Sequence, residues 1–234
     1  MPALVDSGVY EFYGRRIRSN VELGRPVPDN GRVDLDLRLR APTGDPVGRE
    51  MPPGRPLIGE EGQPFNVAIT QTEDGYVLRA CELADVHFTT ALDEAVCYPA
   101  PGIGGEHVRD LSATILSSWL VLRGSAVFHG SSVAGVPDLP DGHAVAFLGP
   151  SFAGKSTWAA LMCSAGARFV TDDALPIGTQ DGRPVVEGGC PELRLRQFET
   201  VSWPAFDALP HRLTVDGRMA VLAGDPVAGP LPLL

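Results

Sequence analysis

Ala144-Val145-Ala146-Phe147-Leu148-Gly149-Pro150-Ser151-Phe152-Ala153-Gly154-Lys155-Ser156-Thr157 is the stretch that decides the reading of this chain. An apolar run with the length and composition of a buried strand, Ala144 to Leu148, leads directly into the pattern GxxxxGK[ST], and Lys155 to Ala165 then reads as a helix. Each fixed position has a mechanical reason. Glycines let the backbone curl so that successive N–H groups converge on phosphate oxygens, where a side chain would block the approach. Lys155 places a mobile positive charge between the β- and γ-phosphates, and the Ser156 hydroxyl can take one coordination position on Mg²⁺. The helix start adds its positive dipole end. Gly149, Pro150, Ser151, Phe152, Ala153, Gly154, Lys155, Ser156 and Thr157 are therefore expected to hold a nucleoside triphosphate, ATP with Mg²⁺.

Downstream of the loop helix, Arg168 to Thr171 reads as the next strand, ending on Asp172 and Asp173. Strand, loop, helix and strand form one unit, and in open α/β sheets the carboxyl ends of strands gather around the ligand. Two adjacent carboxylates there suit metal binding and proton removal, against the plainer reading of an acid pair in a surface turn. Val185-Val186, Leu193 with Leu195, and Leu213 to Val215 suggest further short strands. Upstream lie an apolar run, Ala126 to Phe128, and a Pro-rich turn over 136–142.

From Gly105 to Arg123 the period becomes helical, with Val108, Leu111, Ile115, Trp119 and Leu122 along one face, so this helix is expected to open a second domain. Trp119 reads as core. Before it, Val9 to Tyr13 and the alternating Val33 to Leu39 read as strands. Residues 41–64, dense in Pro and Gly, read as a long loop or linker without a regular helix or a central strand. Asn66 to Thr70 and Tyr76 to Cys81 flank the Asp74-Gly75 turn signal as a hairpin, with Val86 to Thr90 a further strand. The expected division is a smaller β-rich accessory region, 1–100, and an α/β domain with a mixed sheet, 101–234.

Composition sets the outer limits. With 44% hydrophobic and 21% charged residues a buried core is assured, while a net charge of -10 with scattered arginines argues against a grip on nucleic acid. No stretch is apolar enough for a membrane span, and the N-terminus lacks the pattern of a signal peptide, so a cytoplasmic setting is expected. Cys81, Cys97, Cys163 and Cys190 are widely spaced and form no CxxC pair, which removes the usual zinc and redox signatures. His87, His107, His143 and His211 form no ligand spacing and read as structural.

Three segments together resemble the catalytic domain of the HPr kinase/phosphorylase family, and more closely its standalone HPr kinase-like members encoded beside modified-peptide gene clusters. They are Phe128-His129-Gly130-Ser131-Ser132-Val133, the run Phe147 to Thr157, and Gly166-Ala167-Arg168-Phe169-Val170-Thr171-Asp172-Asp173, with the spacing from Ser156 to Asp173 also similar. The resemblance covers residues 105 to 215, and Tyr13-Gly14-Arg15-Arg16-Ile17-Arg18-Ser19 looks like the opening of the standalone kinases. It implies a P-loop kinase fold and transfer of a phosphoryl group to a serine hydroxyl of a protein or peptide, such as a modified-peptide precursor. Asp173 matches the family's proton acceptor and His129 its active-site histidine, with Asp172 beside them. Lys155 would stabilise developing charge, Ser156 matches a magnesium ligand, and Glu192, within Pro191-Glu192-Leu193-Arg194, is similar to the glutamate of the second metal position.

Members of that family often form oligomers, which leaves a homo-oligomer open, although nothing in the surface pattern reads as an interface. The chain ends at Pro230-Leu231-Pro232-Leu233-Leu234, where relatives continue into further strands and a helical segment, so the reverse, dephosphorylating reaction is not expected. An apolar terminus of this kind also raises truncation, with a sheet edge left unpaired. Two other functions use the same loop: a nucleotide-binding regulatory module that transfers nothing, and a small-molecule kinase.

Overall fold

The computed structural model describes residues 7–42, 47–137, 139–196, 206, 209–223, 227 and 229–234. The expected loop over 41–64 and turn over 136–142 therefore lie partly outside the described residues. The protein is mixed α/β and dominated by sheet, with two helices among the described residues. It divides into two compact units, residues 1–11 with 15–119 and residues 12–14 with 120–234.

The first unit is built on an eight-stranded sheet. In chain order its strands are β1 (Gly8–Phe12), β2 (Arg15–Ser19), β3 (Leu35–Leu39), β4 (Arg55–Ile58), β5 (Val67–Gln71), β6 (Gly75–Ala80), β7 (Ala84–Thr89) and β8 (Glu94–Pro99). They lie in the order β1-β2-β3-β8-β7-β6-β5-β4, with β2, β3 and β8 mutually parallel at the centre. The alternation in β3 is real, since Leu35, Leu37 and Leu39 are buried while Asp36 and Arg38 are half-exposed. Gly75 opens β6 because a Cβ there would collide with the Phe88 carbonyl of β7. One strand lies within the expected linker: β4 pairs only with β5, its four residues are exposed, and its register shifts after Pro56. Proline is tolerated there because an edge strand has no second neighbour needing its N–H.

Helix α1 (Gly105–Leu122) forms as its period requires, with Val108, Ile115, Leu116 and Trp119 buried. It belongs, through Trp119, to the first unit and does not open the second. The reason is local: the Trp119 indole N–H donates to the Leu92 carbonyl at 2.7 Å, and both residues lie in the first unit. Periodicity shows that a helix has an apolar face and not which sheet receives it.

In the second unit β9 (Ala126–Ala134) carries β10 (Ala144–Leu148) on one edge, and β11 (Arg168–Thr171) followed by β12 (Ala174–Gln180) on the other. The sheet continues through β13 (Arg183–Val186) to β17 (Leu231–Pro232), so the apolar terminus pairs with an edge where an unpaired one was expected. β14 (Glu192–Leu195), β16 (Met219–Leu222) and β15 (His211–Leu213) make a separate antiparallel sheet. Helix α2 (Lys155–Ser164) turns Ala159 and Ala160 into a core with Val133, Phe169, Leu193, Leu195, Phe206 and Val221. Small side chains on that face let the helix approach β9 closely.

β10 is less buried than its composition suggests. It is the edge of its sheet, Val145 to Phe147 are half-buried, and Leu148 is 53% exposed. An apolar run reports the absence of charge and cannot count the layers that will cover it.

Candidate functional site

Since β10 and β11 both run antiparallel to β9, they are parallel to each other with β9 between them, and α2 carries the chain from one to the other. The loop before α2 and the break after β11 are thereby held against the same strand.

The loop has the backbone its glycines predict. Gly154 stands at φ +81° immediately before the helix, and the Trp158 N–H donates to its carbonyl at 2.8 Å. Phe152 also takes a positive φ, +67°, although a Cβ disfavours it, and the Ala153 N–H donates to the Pro150 carbonyl at 3.2 Å. Left-handed residues one position apart keep the loop tightly curled ahead of the helix. Lys155 is buried and its Nζ donates to the Pro150 carbonyl at 2.8 Å, which joins the two ends of the loop. The Phe152 ring is 86% exposed, with the Arg196 guanidinium 5.2 Å from its centroid. Gly149, Ser151, Ala153 and Thr157 lie along this loop and the first turn of α2.

Beside it the second edge of β9 is interrupted. The pairs Thr171–Ser132 and Ala174–His129 bracket Asp172 and Asp173 against Ser131 and Gly130, and the register slips by one residue between Phe169 and Thr171. A slip of one residue exchanges the two faces of a strand. Asp172 is consequently buried, and Asp173 turns at φ +66°. Gly130 lets the strands approach closely at this place, where a Cβ would sit 3.0 Å from the Phe147 carbonyl oxygen and 2.8 Å from Leu148 Cδ2.

Asp172 Oδ1 accepts from Ser131 Oγ at 2.5 Å and from Ser156 Oγ at 2.8 Å, and Oδ2 accepts from the Arg194 N–H at 3.0 Å. Burial pushes this carboxyl above the usual carboxylate range, the neighbouring Asp173 charge adds to the rise, and the three donors oppose it. Because Ser156 gives its proton to Asp172, its lone pairs are left for a ligand on the loop side.

Asp173 is more open. Its Oδ2 accepts from Arg218 Nη1 at 3.1 Å with Arg194 Nη1 at 3.9 Å, and Oδ1 takes no hydrogen bond among the described residues. His129, exposed on β9, sits by the Asp173 carbonyl with Nδ1 at 3.0 Å. A carbonyl only accepts, so Nδ1 is the donor in this contact, and Nε2 is the ring nitrogen left for another partner.

Glu192 is arranged differently from the expectation. Its two oxygens accept from Arg212 Nε at 3.1 Å and Nη2 at 2.9 Å, with Arg194 Nη2 at 3.6 Å. A carboxylate already shared by two guanidinium groups serves as their counter-charge and is a poor second metal ligand. Among the described residues no group of three or more His, Cys, Asp or Glu side chains gathers as a metal set. Magnesium does not need one, since it commonly takes one or two protein ligands and completes its shell with phosphate and water. Ser156 Oγ beside the buried Asp172 carboxylate fits that requirement.

Sequence reasoning left Ser131, Arg194, Arg212 and Arg218 without roles. Ser131 lies within the quoted segment from Phe128 to Val133, whereas Arg218 meets Asp173 only across 45 residues of chain. Each of the remaining histidines has a local neighbour: His107 Nδ1 accepts from the Gly104 N–H, His143 and His211 pair with nearby carbonyls, and His87 packs edge-on against Tyr98. No helix among the described residues is long and apolar enough to cross a membrane. No protein-family model and no curated protein matches the chain, so the meaning of the site rests on its own geometry.

Proposed function

We propose that this protein is an ATP-dependent phosphotransferase of HPr kinase-like architecture that moves the γ-phosphoryl group of ATP to a serine hydroxyl of a protein or peptide. The observation that carries the reading is the bond from Ser156 of the phosphate loop to Asp172, directly followed by the accessible carboxylate of Asp173. It joins a phosphate cradle, a magnesium-holding pair and a proton acceptor through adjacent residues.

In this reading the loop amides and the α2 N-terminus hold the β- and γ-phosphates, and Lys155 exchanges the Pro150 carbonyl for their oxygens. Mg²⁺, held by Ser156 and supported by Asp172, would neutralise charge on the phosphates. The serine oxygen forms a bond to Pγ as the bond from Pγ to the bridging oxygen breaks, ADP leaves, and the serine proton passes to Asp173 Oδ1. Little covalent work is asked of the protein, because the transition state of phosphoryl transfer is loose and catalysis is mainly positioning. His129 meets the carbonyl of the Asp173 turn and can accept from the acceptor hydroxyl through Nε2. A cytoplasmic setting, where ATP is available, accords with four cysteines that all stand as free thiols.

A second reading, a nucleotide-binding module that transfers nothing, draws on the Asp173–Arg218 ion pair, because it occupies one oxygen of the proposed proton acceptor. Calorimetry of ATP·Mg²⁺ with wild type and Lys155→Ala, followed by tracking of labelled γ-phosphate on serine-bearing peptides and proteins, separates the two. Binding lost in Lys155→Ala, with transfer that Asp173→Asn abolishes while ATP still binds, is the expected result. Binding without transfer to any acceptor would select the module, and absence of binding would end both readings.

A further inference from the structure

The turn between β15 and β16 is braced well beyond what a hairpin needs. Thr214 Oγ1 donates to Asp216 Oδ1 at 2.6 Å and accepts from the Arg218 N–H at 2.9 Å, while the Thr214 N–H donates to the Arg218 carbonyl at 2.8 Å. Asp216 Oδ2 then accepts from Arg218 Nε at 2.7 Å, which fixes the plane of the guanidinium, and Nη1 reaches Asp173 Oδ2 at 3.1 Å. An arginine gripped on one side and aimed from a closed turn has little rotamer freedom left to lose.

We infer that Arg218 is a positioning residue for phosphoryl transfer: backed by Asp216, it locks Asp173 with Oδ2 engaged and Oδ1 presented to the acceptor hydroxyl. The inference rests on the kinase reading. In a loose transition state the proton moves late, so the strength of the base matters little. Orientation matters more. Asp173 stands at a positive φ in a break between two strands, where neither ladder holds its side chain. Arg218, reinforced by Arg194 at 3.9 Å, replaces that missing support. Asp216 is 47% exposed and bonds Nε of Arg218 while Asp173 meets Nη1, so its influence on Asp173 passes through Arg218 and the Thr214 turn that holds it.

The test compares wild type, Arg218→Ala, Arg218→Lys and Asp216→Asn, using γ-labelled ATP and a serine-peptide mixture, with the Kd of ATP·Mg²⁺ measured by calorimetry and folding checked by circular dichroism. Arg218→Ala is expected to lower kcat on the order of 100-fold, the scale of a misplaced catalytic group, with the Kd and KM for ATP unchanged. Arg218→Lys should restore part of the rate, since an ammonium can reach Oδ2 without the second grip on Asp216, and Asp216→Asn should fall between Arg218→Ala and wild type. A loss carried by the Kd or KM for ATP would make Arg218 a phosphate ligand and overturn the inference, as would an unchanged kcat. Wild type that binds ATP and transfers nothing would overturn the kinase reading and this inference together, whereas transfer by wild type that is indifferent to Arg218 would overturn only the inference.

Discussion

Replacing Ser131 by alanine tests the buried anchor on which the site is built. Ser131 is fully buried, and its hydroxyl shares Asp172 Oδ1 with Ser156. A hydrogen bond to a charged group is worth about 1.5–3 kcal/mol and one between neutral groups about 0.5–1.5 kcal/mol, so the cost of Ser131→Ala depends on the charge of Asp172. The wild-type carboxyl lies above its ordinary value because it is buried, so its own ionisation weakens the fold as pH rises through the folded value. Loss of a donor moves that value further up. The penalty for Ser131→Ala is therefore largest at high pH, about 1.5–3 kcal/mol, and shrinks toward the neutral figure as pH falls through the wild-type carboxyl's folded value. Ser156→Ala removes the second donor to the same oxygen. Each hydroxyl becomes more important when the other is gone, so the double variant should cost more than the sum of the singles by at least about 0.5 kcal/mol. Urea unfolding of the four proteins across a pH series measures both effects. Penalties that add within about 0.3 kcal/mol and ignore pH would refute a shared, buried carboxylate.

Trp119→Phe keeps most of the apolar bulk but leaves the Leu92 carbonyl without its indole donor, at a cost of about 1–3 kcal/mol, and Trp119→Ala should cost about 3–5 kcal/mol by the same denaturation measurement. ATP binding by the folded fraction should be unchanged, and a selective loss of binding would mean that Trp119 is a ligand platform after all. Burial pushes the Cys97 thiol up to about 12 and those of Cys163 and Cys190 up to about 11, so at about pH 8 on the order of one molecule in a thousand carries either of the latter as thiolate. A disulfide reagent should label these three slowly in the native protein and all four cysteines at once in guanidinium chloride. Rapid native labelling of Cys190 would show that its buried surroundings open readily.

Local pattern carried the sequence reading a long way wherever the physics is local. The phosphate loop, its helix and the strand ending on Asp172 were legible because glycine conformation, helical period and apolar runs act over a few residues, and the structure places each where its spacing required. The β-rich first hundred residues and the face of α1 were legible for the same reason. Short strands with charged or proline-containing sequences, β2, β4 and β12, carry no comparable signal, since they owe their existence to the neighbours that pair with them.

What only the tertiary structure decided is which charges meet. Nothing near Asp173 in the chain announces Arg218, and nothing in Pro191 to Arg194 shows that Glu192 is held by Arg212 while the Arg194 amide supports Asp172. The one-residue slip in β11 that buries Asp172 and turns out Asp173 is likewise a property of the pairing with β9. Residue types determine by themselves what a loop can grip, because backbone conformation is settled within a turn or two. The partners of a carboxylate are settled by burial and distance, and those exist only once strands far apart in sequence lie side by side.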